Sequence, residues 1–270
     1  MANNRLSDIY FIYQKKYERI YGERTIILME VGSFFELYGI DNENEKQGNI
    51  KPVCNLLNII LSRKNKTILE NSRANPLMAG FPNHSLKRFL EILIKHNYTV
   101  ILIEQTNPPL NTKREVTQII SKSTYIDNVN QIQNNYAVSI YLIENKCFKT
   151  GLPLIEYACS AIDIGTGDVL FYENHIINKN ILIIFEDIYR FIETCNAVEI
   201  IIHNECKTID NRTIINNLDT SRKILFNLFP IQEYKNIEYH NNFIKKIYKN
   251  IGLLTPIEYI QCEMKPNLVL

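Results

Sequence analysis

The sequence predicts an α/β fold in two domains. Three observations support this class: an apolar repeat of three and four residues opens the chain, strand-like runs alternate with helical ones after it, and a stretch rich in Asn and Gln interrupts the chain near its middle. We therefore expect a mixed-sheet α+β domain first. In the second domain we expect antiparallel strands followed by strand–helix alternation.

The first half begins with a predicted amphipathic helix over residues 6–21, which Gly22 ends. Two apolar-rich runs joined by a Gly-Ser turn, Thr25–Met29 and Phe34–Tyr38, are typical of a β-hairpin. The other predicted elements are a helix at Asn44–Ile60 disturbed at Pro52, a short strand or extended run at Pro76–Phe81, a helix at Leu86–His96 capped by Ser85, and strands at Thr99–Glu104 and Val116–Ser121 on either side of a loop at residues 107–109.

The composition changes around Asp127–Asn135, where Asn and Gln replace large apolar residues, and we place the domain boundary there. Strand–helix alternation beyond this boundary predicts an α/β layer fold. The predicted strands are Tyr136–Glu144, Tyr157–Ile164, Asp168–Tyr172, Ala197–His203 and Lys223–Leu228, and the predicted helices are Asn180–Thr194, Arg212–Leu218 and Asn241–Ile251.

The composition is that of a globular protein. Hydrophobic residues make up 46% of the 270 residues and charged residues 22%, which is enough for a buried core. A formal charge of only +1 excludes a generally basic body, so affinity for nucleic acid would need local patches. We find no signal peptide, no membrane-spanning run and no metal-ligand spacing among the six cysteines, and therefore expect reduced thiols in an intracellular compartment that the sequence does not identify.

The predicted hairpin carries an unusual pair of side chains. Because side chains alternate along a strand, Phe34 and Glu36 share one face, while Ser33, Phe35 and Leu37 share the other. If the second set faces the core, an aromatic ring and a carboxylate stand exposed together at a turn. Such a pair suits insertion into a flat stack and recognition of a hydrogen-bond donor. In the alternative interpretation, Phe34 is part of the core and Glu36 is a solvated edge residue.

Three blocks of the sequence resemble the MutS family. Gly-x-Phe-x-Glu-Leu-Tyr at residues 32–38 resembles the motif in which a Phe wedges beside a mispaired base and a Glu hydrogen-bonds to that base. Pro76–Ser85, the helix after it and the strand Thr99–Thr106 resemble the family's "MAG-(I/F)-P-x-H" segment, helix and "V-A-x-x-E-Q" strand. Lys113–Ser121 resembles the strand that closes the same domain, so the resemblance covers roughly residues 5–125.

The resemblance implies a mismatch-recognition domain over residues 1–126, a ribonuclease H-like connector domain over residues 135–251 and the start of a helical core over residues 252–270. We therefore expect an N-terminal fragment of a mismatch repair protein, with Phe34 as the wedge and Glu36 as the reading residue. Two positions depart from the family, since Ser33 replaces a common Asp and Phe35 a usual Tyr. We expect these changes to alter packing and to leave recognition intact.

Basic residues are the candidate phosphate contacts. Arg63-Lys64-Asn65-Lys66 falls where the family has a basic turn along DNA, and Lys113-Arg114, Lys122, Lys87 and Arg88 are further candidates. Ordinary surface charge explains any single one of them equally well. The predicted DNA-binding set is Ser33, Phe34, Glu36, Arg63, Lys64, Lys66, Lys113 and Arg114.

One motif is similar to those of enzymes. Asp163-Ile164-Gly165-Thr166-Gly167-Asp168 places an acid at a strand end before Gly-x-Gly, as in ribonuclease H-type nucleases and actin-like ATPases. A hairpin turn explains the two glycines without any enzyme, and the later strands offer only Glu199 as a further acid. A ribonuclease H-like nuclease and a DNA-binding scaffold are the alternatives to mismatch recognition.

The sequence contains no G-x-x-x-x-G-K-[ST] phosphate loop, so we predict no catalysis and no cofactor in this chain. The resemblance implies ATP and Mg²⁺ only in an ATPase domain of a longer parent protein. The partners that it implies are duplex DNA with a mismatch or small loop, downstream repair factors docked on the connector, and a second subunit of the full-length parent. We expect no interaction with a membrane.

Overall fold

The computed structural model describes residues 6–106, 113–126, 135–176, 181–228, 236–248 and 252–263. The chain divides into two compact units, residues 1–128 and 129–270, and each has its own hydrophobic core. Both units combine helices with mixed sheets, so the predicted α/β class is confirmed. No helix in the described ranges is long and apolar enough to cross a bilayer. The predicted loop at residues 107–109 and residues 127–134 of the predicted boundary lie outside those ranges.

The first unit is built on one mixed sheet. Its elements are α1 Leu6–Tyr21, β1 Thr25–Val31, β2 Phe34–Asp41, β3 Lys46–Gln47, α2 Ile50–Leu57, β4 Ser62–Arg63, β5 Leu77–Pro82, α3 Leu86–Lys95, β6 Thr99–Gln105 and β7 Arg114–Ile120. The strand order is β4-β5-β2-β1-β6-β7, and β3 pairs with β2. β1 and β6 run parallel, whereas the other pairs are antiparallel.

Helices cover both faces of this sheet. Phe35 and Tyr38 point to opposite faces of β2 because side chains alternate along a strand. Tyr10 of α1 packs edge-on against Tyr38, with ring centres 5.2 Å apart. On the other face, Phe89 of α3 packs against Phe81, which packs against Phe35. Burial on both faces explains why β1 and β6 are almost continuously apolar.

The second unit is built on a five-stranded sheet. Its elements are β8 Tyr136–Lys146, β9 Pro153–Asp163, β10 Val169–Ile176, α4 Ile181–Thr194, β11 Glu199–Glu205, α5 Asn211–Leu218, β12 Lys223–Phe226, α6 Ile237–Ile247 and α7 Pro256–Glu263. The strand order is β10-β9-β8-β11-β12, with antiparallel β8–β9 and β9–β10 pairs and parallel β8–β11 and β11–β12 pairs. Buried side chains of α4 and α5 join those of the sheet in one core.

The helix predicted at Asn44–Ile60 begins later than expected. Lys46 and Gln47 pair with β2 as the short strand β3, so the helix α2 starts only at Ile50. Pro52 therefore lies in the first turn, where backbone N–H groups have no partner within the helix, and it does not disturb the helix.

Two other helix starts also differ in detail from the prediction. The last predicted helix, Asn241–Ile251, is observed as α6, which begins four residues earlier because the Asn236 side chain accepts a hydrogen bond from the Tyr239 N–H. Ser85 does precede α3, but its side chain makes no capping hydrogen bond, and a 3₁₀ turn at Asn83–Ser85 leads into the helix.

Candidate nucleic-acid interface

A tight hairpin presents the predicted reading residues at one end of the first sheet. β1 and β2 pair in the register Met29 with Glu36 and Val31 with Phe34, which leaves Gly32 and Ser33 as the turn. Gly32 has a φ of +61°, a conformation that glycine adopts without strain. Phe34 is therefore the first residue of β2 after the turn.

The two neighbouring aromatic residues of β2 have opposite environments. The Phe34 side chain is 45% exposed, whereas Phe35 is only 3% exposed. Phe35 packs against Phe81 at 6.2 Å between ring centres, and Phe81 packs against Phe89 at 4.3 Å. A one-residue slip of the strand would exchange the two faces, so this aromatic cluster holds Phe34 outward. Phe35 and Leu37 are buried and Phe34 is not, as strand alternation suggested, whereas Ser33, which was grouped with Phe35 and Leu37, lies exposed in the turn.

Glu36 lies two residues beyond Phe34 on the same face, half-buried, and its cross-strand neighbour is Gly80 of β5. A Cβ atom at position 80 would lie 2.9 Å from the Phe35 carbonyl oxygen and 3.4 Å from Cγ of Glu36. Only glycine fits there without a backbone shift.

Tyr38 contacts Glu36 from the interior of the unit. Its hydroxyl donates a hydrogen bond to Oε2 of Glu36. Burial of the phenol, together with this hydrogen bond and the Glu36 charge, raises the pKa of Tyr38 well above its ordinary value of 10. Tyr38 therefore remains a protonated donor at neutral pH.

A polar cluster that the sequence analysis missed holds the hairpin turn. The Asn83 backbone N–H donates to the Ser33 carbonyl oxygen at 2.9 Å, and the Asn83 side chain donates to Oε1 of Glu30 at 2.9 Å. Oε2 of Glu30 accepts from the Gln105 backbone N–H at 2.8 Å. One carboxylate thus links the ends of β1, β5 and β6 beneath the turn that carries Phe34. The only signal in the sequence is a charged residue near the end of an apolar strand.

Lys113 and Arg114 lie at the same end of the sheet as this hairpin. The Arg114 side chain donates from Nε to the Glu30 carbonyl oxygen at 3.1 Å, next to the turn. Lys113 forms an ion pair with Glu115, and this carboxylate raises the pKa of Lys113. The structure therefore brings two predicted cations near Ser33, Phe34 and Glu36.

The basic turn Arg63–Lys66 lies elsewhere. Arg63 pairs with Leu77, which pairs with Gly39. The turn therefore lies at the end of the sheet that is opposite the hairpin. Gly39 lies five residue steps along β2 from Phe34, which is about 16 Å. This cation group and the pair Lys113–Arg114 would have to contact separate parts of a nucleic-acid backbone.

The loop that carries Lys64 and Lys66 is organised by one buried amide. The Asn75 side chain accepts from the Asn65 N–H at 2.7 Å and donates to the carbonyl oxygens of Asn65, Ile68 and Glu70 at 3.0–3.2 Å. Lys64 and Lys66 are exposed on this loop. The other basic candidates of the first unit, Lys87, Arg88 and Lys122, are exposed.

The acidic motif of the second unit has a structural explanation. Asp163 is buried and accepts hydrogen bonds from the backbone N–H groups of Asn135, Gly165 and Thr166 at 3.0, 2.8 and 3.4 Å. These bonds, led by that from Asn135, lower the pKa of its carboxyl group. Glu199 lies on a strand separated from β9 by β8. Among the described residues, no group of three His, Cys, Asp or Glu side chains is arranged to hold a metal ion.

Comparison with known proteins gives a family match over the first unit. Residues 13–129 match the family described as MutS domain I. Over 95% of this chain, the sequence is 27% identical to the putative DNA mismatch repair protein mutS homolog L359 of Acanthamoeba polyphaga mimivirus, of which it spans 25%. The DNA mismatch repair proteins MutS of Lactococcus lactis subsp. lactis (strain IL1403) and Streptococcus pneumoniae serotype 19F (strain G54) are 32% and 31% identical over 53% of this chain, which spans 15% of each.

The chain thus spans a quarter or less of the length of these relatives. Among solved structures, a simian T-cell lymphotropic virus intasome in complex with PP2A regulatory subunit B56 gamma matches 48% of this chain and 47% of its own chain. The TM-score of 0.25 and the identity of 11% are too low for any conclusion about the fold.

Proposed function

We propose that this chain, which belongs to the MutS family through the domain at residues 13–129, recognises mispaired or unpaired bases in duplex DNA. The observation that carries the proposal is the hairpin end, where Phe34 is half exposed, Phe35 is buried and Glu36 shares the face of Phe34. An aromatic side chain held outward by a packed neighbour is arranged for a partner, because the fold gains little from it.

In this proposal Phe34 is the wedge. Apolar side chains that enter the minor groove unstack a base step at a cost of about a few kcal/mol and kink the duplex. A mispair is already poorly stacked and more deformable, so the same kink costs less there. The difference between the two costs favours mispaired over correct DNA.

Glu36 would read the base that Phe34 unstacks. A carboxylate near phosphates is repelled, and it needs a hydrogen-bond donor on a base edge to offset that repulsion. In a correct pair this donor is already engaged, so Glu36 disfavours normal DNA as well as favouring a mispair.

Basic residues would supply the affinity that does not depend on sequence. Lys113 and Arg114, which lie beside the hairpin, would contact phosphates next to the lesion, together with Ser33 at the turn itself. Arg63, Lys64 and Lys66 lie at the other end of the sheet and would contact phosphates further away.

We propose no catalytic step, no metal and no cofactor for this chain. The second unit would act as a ribonuclease H-like connector, with residues 252–270 leading into a helical core. In a full-length parent protein, ATP and Mg²⁺ would bind an ATPase domain, two subunits would enclose the DNA, and downstream repair factors would dock on the connector. These statements rest on similarity to relatives that are much longer than this chain.

The proposal is tested by photo-cross-linking, which tolerates weak binding. The chain is irradiated with duplexes that carry 5-iodouracil opposite G or opposite A, and the adduct is mapped by mass spectrometry. We expect an adduct at Phe34 with the G-opposed base and much less with the A-opposed base. Equal adducts from both duplexes, spread over other aromatic residues, would contradict mismatch reading and favour a general DNA-binding scaffold.

A further inference from the structure

Tyr38 is a buried tyrosine whose ring is immobilised by the helix above it. Its side chain is 1% exposed and packs edge-on against Tyr10. Tyr10 donates its own hydroxyl to the Ile27 carbonyl oxygen at 3.1 Å, which ties α1 to β1. The position of the Tyr38 hydroxyl is therefore determined by packing between α1 and the sheet.

That hydroxyl donates to Oε2 of Glu36, two residues back on the same face of β2. A glutamate side chain on a strand has three rotatable bonds, and an exposed one loses their freedom when it binds a partner. Here one carboxylate oxygen is already held by a rigid donor. A carboxylate can accept bonds at both oxygens, so Oε1 is left for a donor outside the protein.

We infer that Tyr38 is a positioning residue for Glu36: its hydroxyl holds one carboxylate oxygen so that the other is presented to a base edge. This inference rests on the proposed function of Glu36. Tyr38 is buried and does not itself contact DNA, so its effect is transmitted through Glu36. Orientation before binding lowers the entropy lost when the complex forms, which increases affinity for a mispair without a new contact.

The test is a double-mutant cycle with Y38F and E36A. Phenylalanine keeps the ring that packs against Tyr10 and removes only the hydroxyl. Dissociation constants for a G·T duplex and for the matched duplex are measured by fluorescence anisotropy for the wild-type chain, both single variants and the double variant. We expect Y38F to lower the preference for the mispair about threefold to tenfold, and to have no further effect when Glu36 is absent.

Two results of this cycle would overturn the inference. An unchanged preference in Y38F would show that the hydroxyl does not matter, and an equal loss with and without Glu36 would show that Tyr38 acts only through the fold. Thermal unfolding of all four proteins accompanies the measurement.

An NMR measurement in the absence of DNA tests this inference independently of the proposed function. The carboxyl ¹³C resonance of Glu36, assigned by its loss in E36Q, is compared between the wild-type chain and Y38F. A shift is expected if the hydroxyl holds the carboxylate, and an identical resonance would contradict the inference. A wild-type chain that shows no preference for the mispair would overturn the proposed function, while the resonance still decides whether Tyr38 positions Glu36.

Discussion

Phe34 and Phe35 are consecutive residues of β2, yet one is half exposed at the hairpin end and the other is enclosed between Phe81 and the strands beside it. Their side chains point to opposite faces of the sheet because of strand alternation. The chain therefore contains two neighbouring phenylalanines whose substitutions should have different effects. A change at Phe34 should affect binding, and a change at Phe35 should affect stability. This pair supplies a matched control for the proposed wedge.

Replacing Phe34 with Ala should abolish the preference for mispaired DNA and leave the fold intact. The side chain is 45% exposed, so the free energy of unfolding should change by less than about 1 kcal/mol. F35A removes a buried ring from the same strand and should lower the free energy of unfolding by about 3–5 kcal/mol. Urea denaturation of both variants and anisotropy titrations with mispaired and matched duplexes check these outcomes.

Two results would contradict the proposed role of Phe34 as the wedge. If F34A unfolds as readily as F35A, Phe34 belongs to the core. If F34A is stable and still prefers a mispair, another residue reads the lesion.

Replacing Gly80 with Ala should damage the reading site through the backbone. The new Cβ would lie 2.9 Å from the Phe35 carbonyl oxygen and close to Glu36, so β5 must move away from β2 beside the carboxylate. We expect G80A to reduce both the preference for a mispair and the melting temperature. G39A is the control, since a Cβ at position 39 would clash with Ile50 in the core, away from the hairpin. It should reduce stability alone, and an equal loss of preference in both variants would contradict a local role for Gly80.

Local patterns predicted the main elements of the first unit, apart from the short strands β3 and β4, but not the polar contacts that connect them. The helix over residues 6–21, the hairpin and the buried face of α3 follow from apolar spacing and a Gly-Ser turn, which are short-range signals. The bond between Glu30 and Asn83 joins residues 53 positions apart, and it depends on how the end of β5 meets the turn between β1 and β2. No short-range pattern contains that information.

The placement of the basic residues illustrates the same limit. The DNA-binding set predicted from the sequence contains both Arg63–Lys66 and Lys113–Arg114. The registers of β2 with β5 and of β5 with β4 show that the first group lies at the far end of the sheet. The contact between Tyr38 and Glu36 is easier to predict from the sequence, because residues two apart on a strand share a face.

The salt dependence of binding should distinguish the two groups of cations. Removing one side chain that binds a phosphate lowers the slope of log K against log salt concentration by about 1. We expect this decrease for K113A, beside the hairpin, and for K66A, on the distant loop. Lys51 is an exposed lysine that pairs with Asp41, and K51A should leave the slope unchanged. An unchanged slope in K66A would remove the distant loop from the DNA-binding surface.

Replacing Asp163 with Asn should destabilise the second unit in a pH-dependent way. The carboxylate accepts three backbone N–H bonds, and an Asn amide cannot accept at both atoms, so one donor loses its partner. The folded pKa of Asp163 lies below its ordinary value of 3.8. The stabilising contribution of its carboxylate is therefore complete above that value and is lost as the pH falls through the folded pKa.

D163N should therefore lower the free energy of unfolding by about 1–3 kcal/mol at pH 7, and the difference from wild type should shrink below about pH 4. D168N, which changes an exposed acid of the same turn, should have little effect at either pH. Urea denaturation at pH 7 and pH 3 measures the difference. Metal-dependent DNA cleavage by the wild-type chain that D163N abolishes would instead favour the nuclease alternative.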